Sequence, residues 1–404
     1  MKMELFLWEH KRLWRRKTTQ ISVFLCMVYL VVFGCILSYQ WFTFGSSAGY
    51  DSFSNRFDGY AHIRAMQRHA RKFGGELTDE SLQEMVRDYQ RASAAGDDQA
   101  LDNTDWQGIN SWLVTLYPEL KDLTDPRLMI SYVDPGKLTD LYGRRQKRLE
   151  EFLEVANQTG REREYLLAMN GKVEIPFSCK WREGWGMILT SVVSDMGTFM
   201  ALFLAISLSP VFAGEWHNRT GPLLLTTKRG WRETALAKIG SSFAFAGEMF
   251  LMLTVGSVLF QVIFLGTEGW DMPIQIIKMI AVAPLNMLQA EIYGYAFALL
   301  GGIGFAGVVM LLSSLVKSGF SALILSLAAV YVPVIVSEFL PFQVQKAMDL
   351  LPLVGSSADV FRTNTFCIFG RYIWSPYLLI SVPVLIGLVC VPFAARRWAR
   401  RMRT

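Results

Sequence analysis

A short polar segment, residues 212–239 (FAGEWHNRTGPLLLTTKRGWRETALAKI), lies between two long apolar runs and carries the residues best able to support a function. It opens with an acid, Glu215, and continues through a turn and an apolar triplet: Thr220, Gly221, Pro222, Leu223, Leu224 and Leu225. It then becomes basic, at Lys228, Arg229, Arg232 and Lys238. Inner membrane loops are commonly basic, but that tendency does not explain an apolar triplet behind an acid. We interpret the segment as a docking surface for another protein.

The rest of the sequence offers little for catalysis. No GxxxxGK[ST] phosphate loop occurs, and no nucleophile arrangement of Ser, His and acid is recognisable. The five cysteines form no CxxC pair, and the four histidines (His10, His62, His69, His217) are scattered. Gly302-x-Gly304-x-x-Gly307 matches a dinucleotide fingerprint as a string, but it lies inside an apolar run with no strand before it. We therefore expect no enzyme activity, no metal and no cofactor bound by this chain.

The segment resembles one known family. Its order of acid, Thr-Gly, Leu-Leu-Thr-Thr, basic residue and Ala-Lys-Ile entering an apolar run is similar to that of the ABC-2 type permeases, the membrane subunits of ATP-driven exporters. Glu215 matches the family's acid, Thr220 and Gly221 its turn, Leu224 to Thr227 its apolar-to-hydroxyl core, and Lys238 the basic residue that opens the third span. Lys228 departs from the pattern, because many members have Pro there. The specific resemblance covers residues 212–239, and the remaining chain resembles the family only in layout.

The resemblance implies a function and partners. A separate ATP-binding subunit, carrying ATP and Mg, would press on this loop, and a second permease copy or paralogue would complete an exporter in the membrane lipid. The residues expected to couple to that subunit are Glu215, Thr220, Gly221, Leu223, Leu224, Leu225 and Arg229. An alternative is a sensor or assembly factor that binds an extracellular ligand through residues 42–184. A membrane-embedded enzyme ranks third, because no polar cluster is visible in the spans.

Composition and charge predict a membrane protein with a defined orientation. The chain has 404 residues, of which 52% are hydrophobic and 19% charged. The predicted inner segments (1–19, 212–239, Lys317 and 395–404) hold 17 Lys and Arg against 4 acids, whereas residues 42–184 hold 19 against 23. Because this excess follows membrane sidedness, both termini are expected in the cytoplasm of a bacterial plasma membrane, and no nucleic-acid partner is needed to explain the net charge.

The elements that position these residues are predicted to be helices throughout. We expect an all-α protein with six transmembrane helices. Residues 1–19 would form an amphipathic interfacial helix, 20–41 the first span, 42–184 an extracellular helical domain, and 185–404 spans two to six with an outer segment at 341–375. Within the domain, helices are expected near 60–72, 78–95, 104–117, 138–157 and 161–170. Residues 266–290, with Pro273 and Pro284, are expected to be an outer re-entrant or interfacial stretch.

Two further sets of residues inside the spans are functional or structural candidates. Asp195 and Glu248 are acids in apolar runs, where a charge usually faces a partner or a water-filled path, so both are candidates for a translocation route. The alternative is that each lies near one membrane interface. Gly294, Ala298, Gly302 and Ala306 recur every four residues and predict a close helix contact. Cys179 and Cys367 fall on the same predicted side and would pair only if their Cα atoms come within bonding range.

Overall fold

The computed structural model describes residues 3–32, 59–120, 126–217 and 230–403 and is mostly helical. Within these residues five helices are long and apolar enough to cross a membrane: Arg182–Trp216, Arg232–Leu265, Met287–Leu315, Gly319–Ser337 and Ser375–Arg400. A shorter apolar helix, Lys17–Val32, begins the first predicted span, whose remaining residues, 33–41, lie outside the described part. The expectation of a helical membrane protein is confirmed at this level.

In chain order the helices are α1 (Met3–Trp14), α2 (Lys17–Tyr29), α3 (Gly59–Lys72), α4 (Asp79–Ala95), α5 (Asp98–Asn103), α6 (Trp106–Leu116), α7 (Pro126–Tyr132), α8 (Leu141–Val155), α9 (Gly160–Asn170), α10 (Arg182–Met187), α11 (Val193–Leu208), α12 (Pro210–His217), α13 (Gly230–Phe260), α14 (Met287–Leu315), α15 (Gly319–Ser337), α16 (Phe342–Asp349) and α17 (Ser375–Arg403). Two antiparallel strand pairs join β1 (Gly75–Leu77) to β2 (Phe177–Cys179) and β3 (Thr365–Ile368) to β4 (Arg371–Trp374). The expected all-α fold did not include these strands.

Helices α11 and α14 form the centre of the bundle. The apolar window of the span that contains α11 is 72% buried and that of α14 is 61% buried, against 17% for α15 and 22% for α17. A peripheral helix with an exposed apolar surface is what a lipid environment requires, since lipid tails are as apolar as the side chains they touch. The arrangement therefore places α11 and α14 at the core and α15 and α17 at the periphery, with exposed apolar surfaces that are compatible with a membrane.

Small residues let the central helices approach their neighbours. A Cβ at Gly294 would lie 2.1 Å from Val193 Cγ1, and one at Gly302 would lie 2.8 Å from Met200 Cε, so this face of α14 contacts α11. Ala298 and Ala306, the other members of the predicted stripe, are fully buried. The sequence did not indicate a second glycine face, on which Gly304 and Gly307 cross α17 at Pro383 and Gly387. Only a residue without a side chain fits at these crossings.

A break separates α11 from α12. Pro210 has no N–H and cannot continue the hydrogen-bond ladder of α11. Ser313 of α14 compensates, because its Oγ accepts from the N–H of Phe212 and of Ala213, both at 3.0 Å, and donates to the carbonyl oxygen of Ser209 at 2.6 Å. In a bilayer such freed backbone groups must find partners inside the protein. The result is a short helix, α12, that continues the span after a one-residue break and is anchored to α14.

The helices of the domain that precedes α10 follow the predicted pattern. The expected stretches near 60–72, 78–95, 104–117, 138–157 and 161–170 correspond to α3, α4, α6, α8 and α9. Side-chain caps fix several starts: Thr78 and Ser81 form a capping box on α4, and Asp105 accepts from the Gly108 N–H at the start of α6. Leu77, Leu82, Leu113 and Ile130 are among the residues of its core.

The stretch between α13 and α14 belongs to that domain. Met272, Ile274 and Ile276 are fully buried in the domain core. The guanidinium of Arg145 on α8 donates to the carbonyl oxygens of Met279 at 2.8 Å and Ala281 at 3.1 Å. The indole of Trp112 donates to the carbonyl oxygen of Ile276 at 2.9 Å. Residues 266–286 are thus packed into the helical domain, whereas the sequence predicted a re-entrant or interfacial stretch. The apolar residues of this stretch could not reveal that they pack against a part of the chain more than 100 residues away.

The segment 341–375 lies at the same end of the bundle as the domain. Gln158, in the domain, donates to the carbonyl oxygen of Thr363 at 2.7 Å, and Thr365 bonds the Glu162 carboxylate. The stretch consists of α16, a 3-10 turn at Ser357–Phe361 and the β3–β4 hairpin. The two connections 266–286 and 341–374 therefore meet the domain at one end of the bundle, and α1, the turn at Lys317 and the end of α17 lie at the other.

Candidate functional site

A buried ionic cluster lies at the two ends of the segment that the sequence singled out. Glu215 on α12 and Lys238 on α13 are 2% and 1% exposed. The Lys238 ammonium lies 2.9 Å from Glu215 Oε1. It also lies 3.0 Å from Oε2 of Glu9 on α1, which is 3% exposed. One lysine therefore holds two carboxylates from two other helices.

Two arginines complete this cluster, which we call the Lys238 cluster (Glu9, Arg12, Arg16, Glu215 and Lys238). Arg12 Nη1 lies 2.7 Å from Glu215 Oε1 and 3.7 Å from Glu9 Oε1. Burial, and then repulsion by Arg12, lower the pKa of Arg16, while Glu9 and Glu215 act in the opposite direction. Three cations thus face two anions. A buried charge is tolerated when it is paired and hydrogen-bonded, so the cluster fixes α1, α12 and α13 to one another.

The position of Glu215 corrects one expectation. We expected its carboxylate at the start of a short helix, where it would offset the positive end of the helix dipole or meet a basic residue of a partner. It lies instead in the second turn of α12, beyond the helix start at Pro210. Arg12 and Lys238 of the same chain pair with its carboxylate. Glu215 is therefore tied to α1 and α13 within the chain.

The structure describes only the two ends of the predicted segment. Of residues 212–239, the first six belong to α12 and the last ten to α13. The remaining coupling residues, Thr220, Gly221, Leu223, Leu224, Leu225 and Arg229, lie outside the described residues. The Lys238 cluster brackets this undescribed stretch, because its acid Glu215 comes just before it and Lys238 follows shortly after.

Helix α1 buries one charged residue, Glu9, and exposes several apolar ones. Glu9 and Leu13 face the protein, whereas Met3, Leu7 and Trp8 are exposed at 67%, 55% and 55%. The predicted amphipathic character is present, but Leu13 lies on the opposite side from these three. A helix that turns charges inward and apolar residues outward suits a membrane interface better than water. Its inward side carries the acid and arginine of the Lys238 cluster.

The two acids proposed for a translocation route do not meet. Glu248 Oε1 lies 3.0 Å from His10 Nε2, and its Oε2 accepts from the Trp14 indole at 2.8 Å, so its carboxylate is bonded to α1. Asp195 is exposed in the first turn of α11. Counting about 1.5 Å per helical residue from the bonded pair Glu215 and Lys238, Asp195 lies about 30 Å away and Glu248 about 15 Å away. The two carboxylates are thus at different depths and do not form one polar site.

A third acid was missed in the sequence. Glu291, in the second turn of α14, is 4% exposed, and the Tyr295 hydroxyl donates to its Oε1 at 2.7 Å. The Tyr295 oxygen lies 3.1 Å from Ser257 Oγ on α13. The spacing of four residues between Glu291 and Tyr295 was the available signal in the sequence. It belongs to a polar contact between α13 and α14.

The domain contains a small cavity. A cavity of about 30 Å³, room for about one water, lies between Phe73, Met85, Trp112 and Cys179. Among the described residues, no three His, Cys, Asp or Glu side chains come together as metal ligands. Cys179 is buried and Cys367 exposed, and both are free thiols. Burial raises the pKa of the Cys179 thiol to about 12, which disfavours the reactive thiolate.

Comparisons of the chain with protein-family models, with curated proteins and with solved structures found no match.

Proposed function

We propose that this chain is the permease subunit of an ABC exporter, acting with a separate ATP-binding subunit and a second permease copy or paralogue. The observation that carries the proposal is the position of the Lys238 cluster, which brackets the stretch that resembles the ABC-2 loop. A loop that only connects two spans needs no buried ionic tie at its ends. A loop that receives force from a partner needs such a tie, because the force must be transmitted to the helices and not be lost by bending of the turn.

The structure offers a route for that force. A push on residues 218–229 would act on α12 and α13 together, and on α1 through Glu9 and Arg12. The Pro210 break allows α12 to move relative to α11, and Ser313 passes the movement to α14. Helices α11 and α14 are the central pair of the bundle. The permease would supply a two-state element, and the ATP-binding subunit would supply the differential binding that shifts it.

The orientation in the membrane follows the charge distribution. The end of the bundle that carries α1, Lys317 and the arginine-rich end of α17 would face the cytoplasm, where the ATP-binding subunit resides. The helical domain, with residues 266–286 and 341–374, would face outward. Movement of cargo would then run from the cytoplasmic side or the inner leaflet toward the domain.

Co-purification with the ATP-binding subunit tests the proposal. Leu224→Asp places a charge in the apolar triplet and should weaken the complex by about 2 kcal/mol or more, roughly 30-fold, since interface energy concentrates in a few apolar anchors. Lys317→Glu is the matched control, because it adds an acid at an exposed turn on the same side but outside the segment. Thr234 is unsuitable as a control, since it is only 5% exposed.

The expected result is loss of co-purification and of stimulated ATPase activity for Leu224→Asp only, in detergent or nanodiscs. A Leu224→Asp protein that holds the ATP-binding subunit and stimulates hydrolysis like the original chain would reduce the segment to a simple turn. The alternative of a sensor or assembly factor would then be the better account.

A further inference from the structure

A hollow with a basic lining lies on the helical domain, between α3, α4 and α5. Its volume of about 450 Å³ falls within the range of about 300–1,000 Å³ that is usual for sites of small organic ligands. Three alanines leave the space open, and the polar part of the lining consists of Arg68, His69, Lys72, Asp88, Arg91 and Asn103. We call this feature the basic hollow.

The charges of the basic hollow do not balance. Its lining holds three cations, Arg68, Lys72 and Arg91, against the single acid Asp88. Glu84 pairs with Arg91 at 2.6 Å from outside the hollow, so one or two positive charges remain uncompensated. This excess is local, because residues 42–184 as a whole hold 19 Lys and Arg against 23 acids. A general basic character of the domain therefore does not explain it.

Asp88 holds donors from two helices at the wall of the hollow. Its carboxylate is 17% exposed and lies 2.6 Å from Lys72 Nζ and 2.9 Å from His69 Nε2. Burial would raise the pKa of Asp88, but hydrogen bonds from Lys72 and His69 outweigh burial and lower it, so the acid stays ionised at neutral pH. Arg91 Nη2 lies 3.6 Å from the same oxygen as Lys72, so the two nitrogens are at most about 6 Å apart. Both side chains carry further N–H groups that another acceptor can use.

Arg68 contributes a guanidinium for which the described part of the chain offers no acceptor. It is exposed and lies four positions before Lys72 on α3. Like charges at this spacing share one face of a helix and repel each other, so the pair carries a cost that a bound anion would remove. Arginine presents five N–H donors in a planar fork that matches the oxygens of a phosphate group.

The basic hollow lies beside the domain end of the membrane part. Gln67, next to Arg68 in the sequence, donates to the carbonyl oxygen of Leu265 at 2.6 Å. Leu265 is the last residue of the apolar span that contains α13. The side chains of Arg71 and Glu268, just beyond, lie 2.8 Å apart. An anionic group can therefore reach the hollow from solution or from a lipid headgroup at the end of this span.

We propose that the basic hollow binds a phosphate monoester, of a soluble compound or of a lipid headgroup, through Arg68, Lys72 and Arg91. A phosphate monoester carries a charge of about −1.5 to −2 at pH 7, which matches the excess of the lining. It also presents more oxygens than a carboxylate, so it can accept from three cations on two helices. The proposal gives the domain a ligand and does not depend on the proposed transport function.

Equilibrium binding of radiolabelled inorganic phosphate to the purified full chain, in a phosphate-free maltoside detergent, tests the site. Arg68→Gln should raise the Kd at least about tenfold, because it removes charge-assisted hydrogen bonds. Arg71→Gln is the matched control, since it removes the same charge from α3 at a residue that faces Glu268 and does not line the hollow. It should change the Kd less than about twofold. Equal effects of the two changes, or no saturable binding of phosphate by the original chain, would overturn the proposal.

A second pair of variants tests the other wall and decides the question if the Arg68 variant does not fold. Arg91 and Arg87 on α4 both approach Glu84, but only Arg91 lines the hollow. Arg91→Gln should raise the Kd at least about tenfold, whereas Arg87→Gln should change it less than about twofold. An Arg91→Gln protein that binds phosphate as tightly as the Arg87→Gln protein would contradict the assignment.

Displacement of the labelled phosphate then distinguishes the two sources. Glycerol 3-phosphate and dihexanoyl phosphatidic acid carry the same monoester, but only the second has acyl chains. Displacement by the phosphatidic acid at a concentration at least about tenfold lower supports a lipid headgroup, because its chains bury apolar surface on the protein. Equal displacement supports a soluble phosphate, and displacement by neither overturns the proposal. No ATP-binding subunit takes part in this assay, so its failure leaves the co-purification result of Leu224→Asp as it stands.

Discussion

Replacement of Lys238 by Met should be among the most damaging single changes in the membrane part of the chain. Methionine has a similar length and favours helix, so the change removes the charge with little change of packing. The Lys238 ammonium lies 2.9 Å and 3.0 Å from two carboxylates, and its side chain is 1% exposed. After the substitution, Glu9 and Glu215 share a buried site with Arg12 as their closest remaining cation.

The expected loss can be bounded. Breaking a buried ion pair by removing one partner costs about 3–5 kcal/mol, because the other charge remains buried. Arg12 stays 2.7 Å from Glu215 but 3.7 Å from Glu9, so Glu9 is the acid left without a close partner. Adding Glu9→Gln to Lys238→Met should therefore recover at least about 1 kcal/mol, a coupling within the usual range for residues in contact.

The free energy of unfolding in mixed detergent micelles, titrated with SDS, measures these changes. Glu248→Gln is the control, since Glu248 pairs with His10 at a position where its side chain is 39% exposed, and such pairs are worth less than about 1 kcal/mol. A loss below about 1 kcal/mol for Lys238→Met, similar to that of the control, would refute the reasoning, because it would mean that water reaches both carboxylates.

Two further changes test the packing and the pH response. Gly307→Ala should lower the free energy of unfolding by about 1–3 kcal/mol in the same titration, because its Cβ would lie 2.5 Å from the Gly387 carbonyl oxygen. The control Gly247→Ala, with open space around it, should be neutral or slightly stabilising. Equal effects of the two substitutions would contradict the close crossing of α14 and α17. Burial, and then the charge of Asp359, raise the pKa of Asp349 to about 6. The folded state therefore binds the proton of the Asp349 carboxyl more tightly than the unfolded chain does. Its stability falls as the pH rises from about 4 to 6. Asp349→Asn should remove that part of the pH dependence and raise the thermal midpoint at pH 7, and an unchanged profile between pH 4 and 6 would rule out the carboxyl as its source.

Local patterns gave much of the fold. Leu149 and Leu153, four residues apart, indicated the core face of α8, and both are fully buried. The small-residue stripe from Gly294 to Ala306 indicated that α14 approaches another helix, and the structure places Gly294 and Gly302 against α11. These signals were readable because the interacting positions recur at the helical period within one segment.

Features that depend on distant parts of the chain were not readable. Lys238 is separated from Glu9 by 229 positions, and nothing in either sequence neighbourhood indicates the other. The same holds for Arg145, whose partners are backbone carbonyls and so leave no trace in side-chain types. Strands β1 and β2 have three residues each, too few to show alternation. The left-handed φ of Leu353 could not be foreseen, because glycine or asparagine is the usual signal for that conformation.

Arg145 has a consequence for how the domain is carried by the membrane part. Its guanidinium binds two carbonyl oxygens and the Asn170 side-chain oxygen, and burial lowers its pKa to about 10, still well above neutrality. Because the acceptors are neutral and enclosed, dissolved ions have little to screen, and high salt should not loosen this attachment. The domain is therefore fixed to the connection between α13 and α14 by bonds that do not depend on ionic strength. A tilt of a few degrees between those two helices would sweep the far side of the domain through a distance large enough for fluorescence energy transfer to follow.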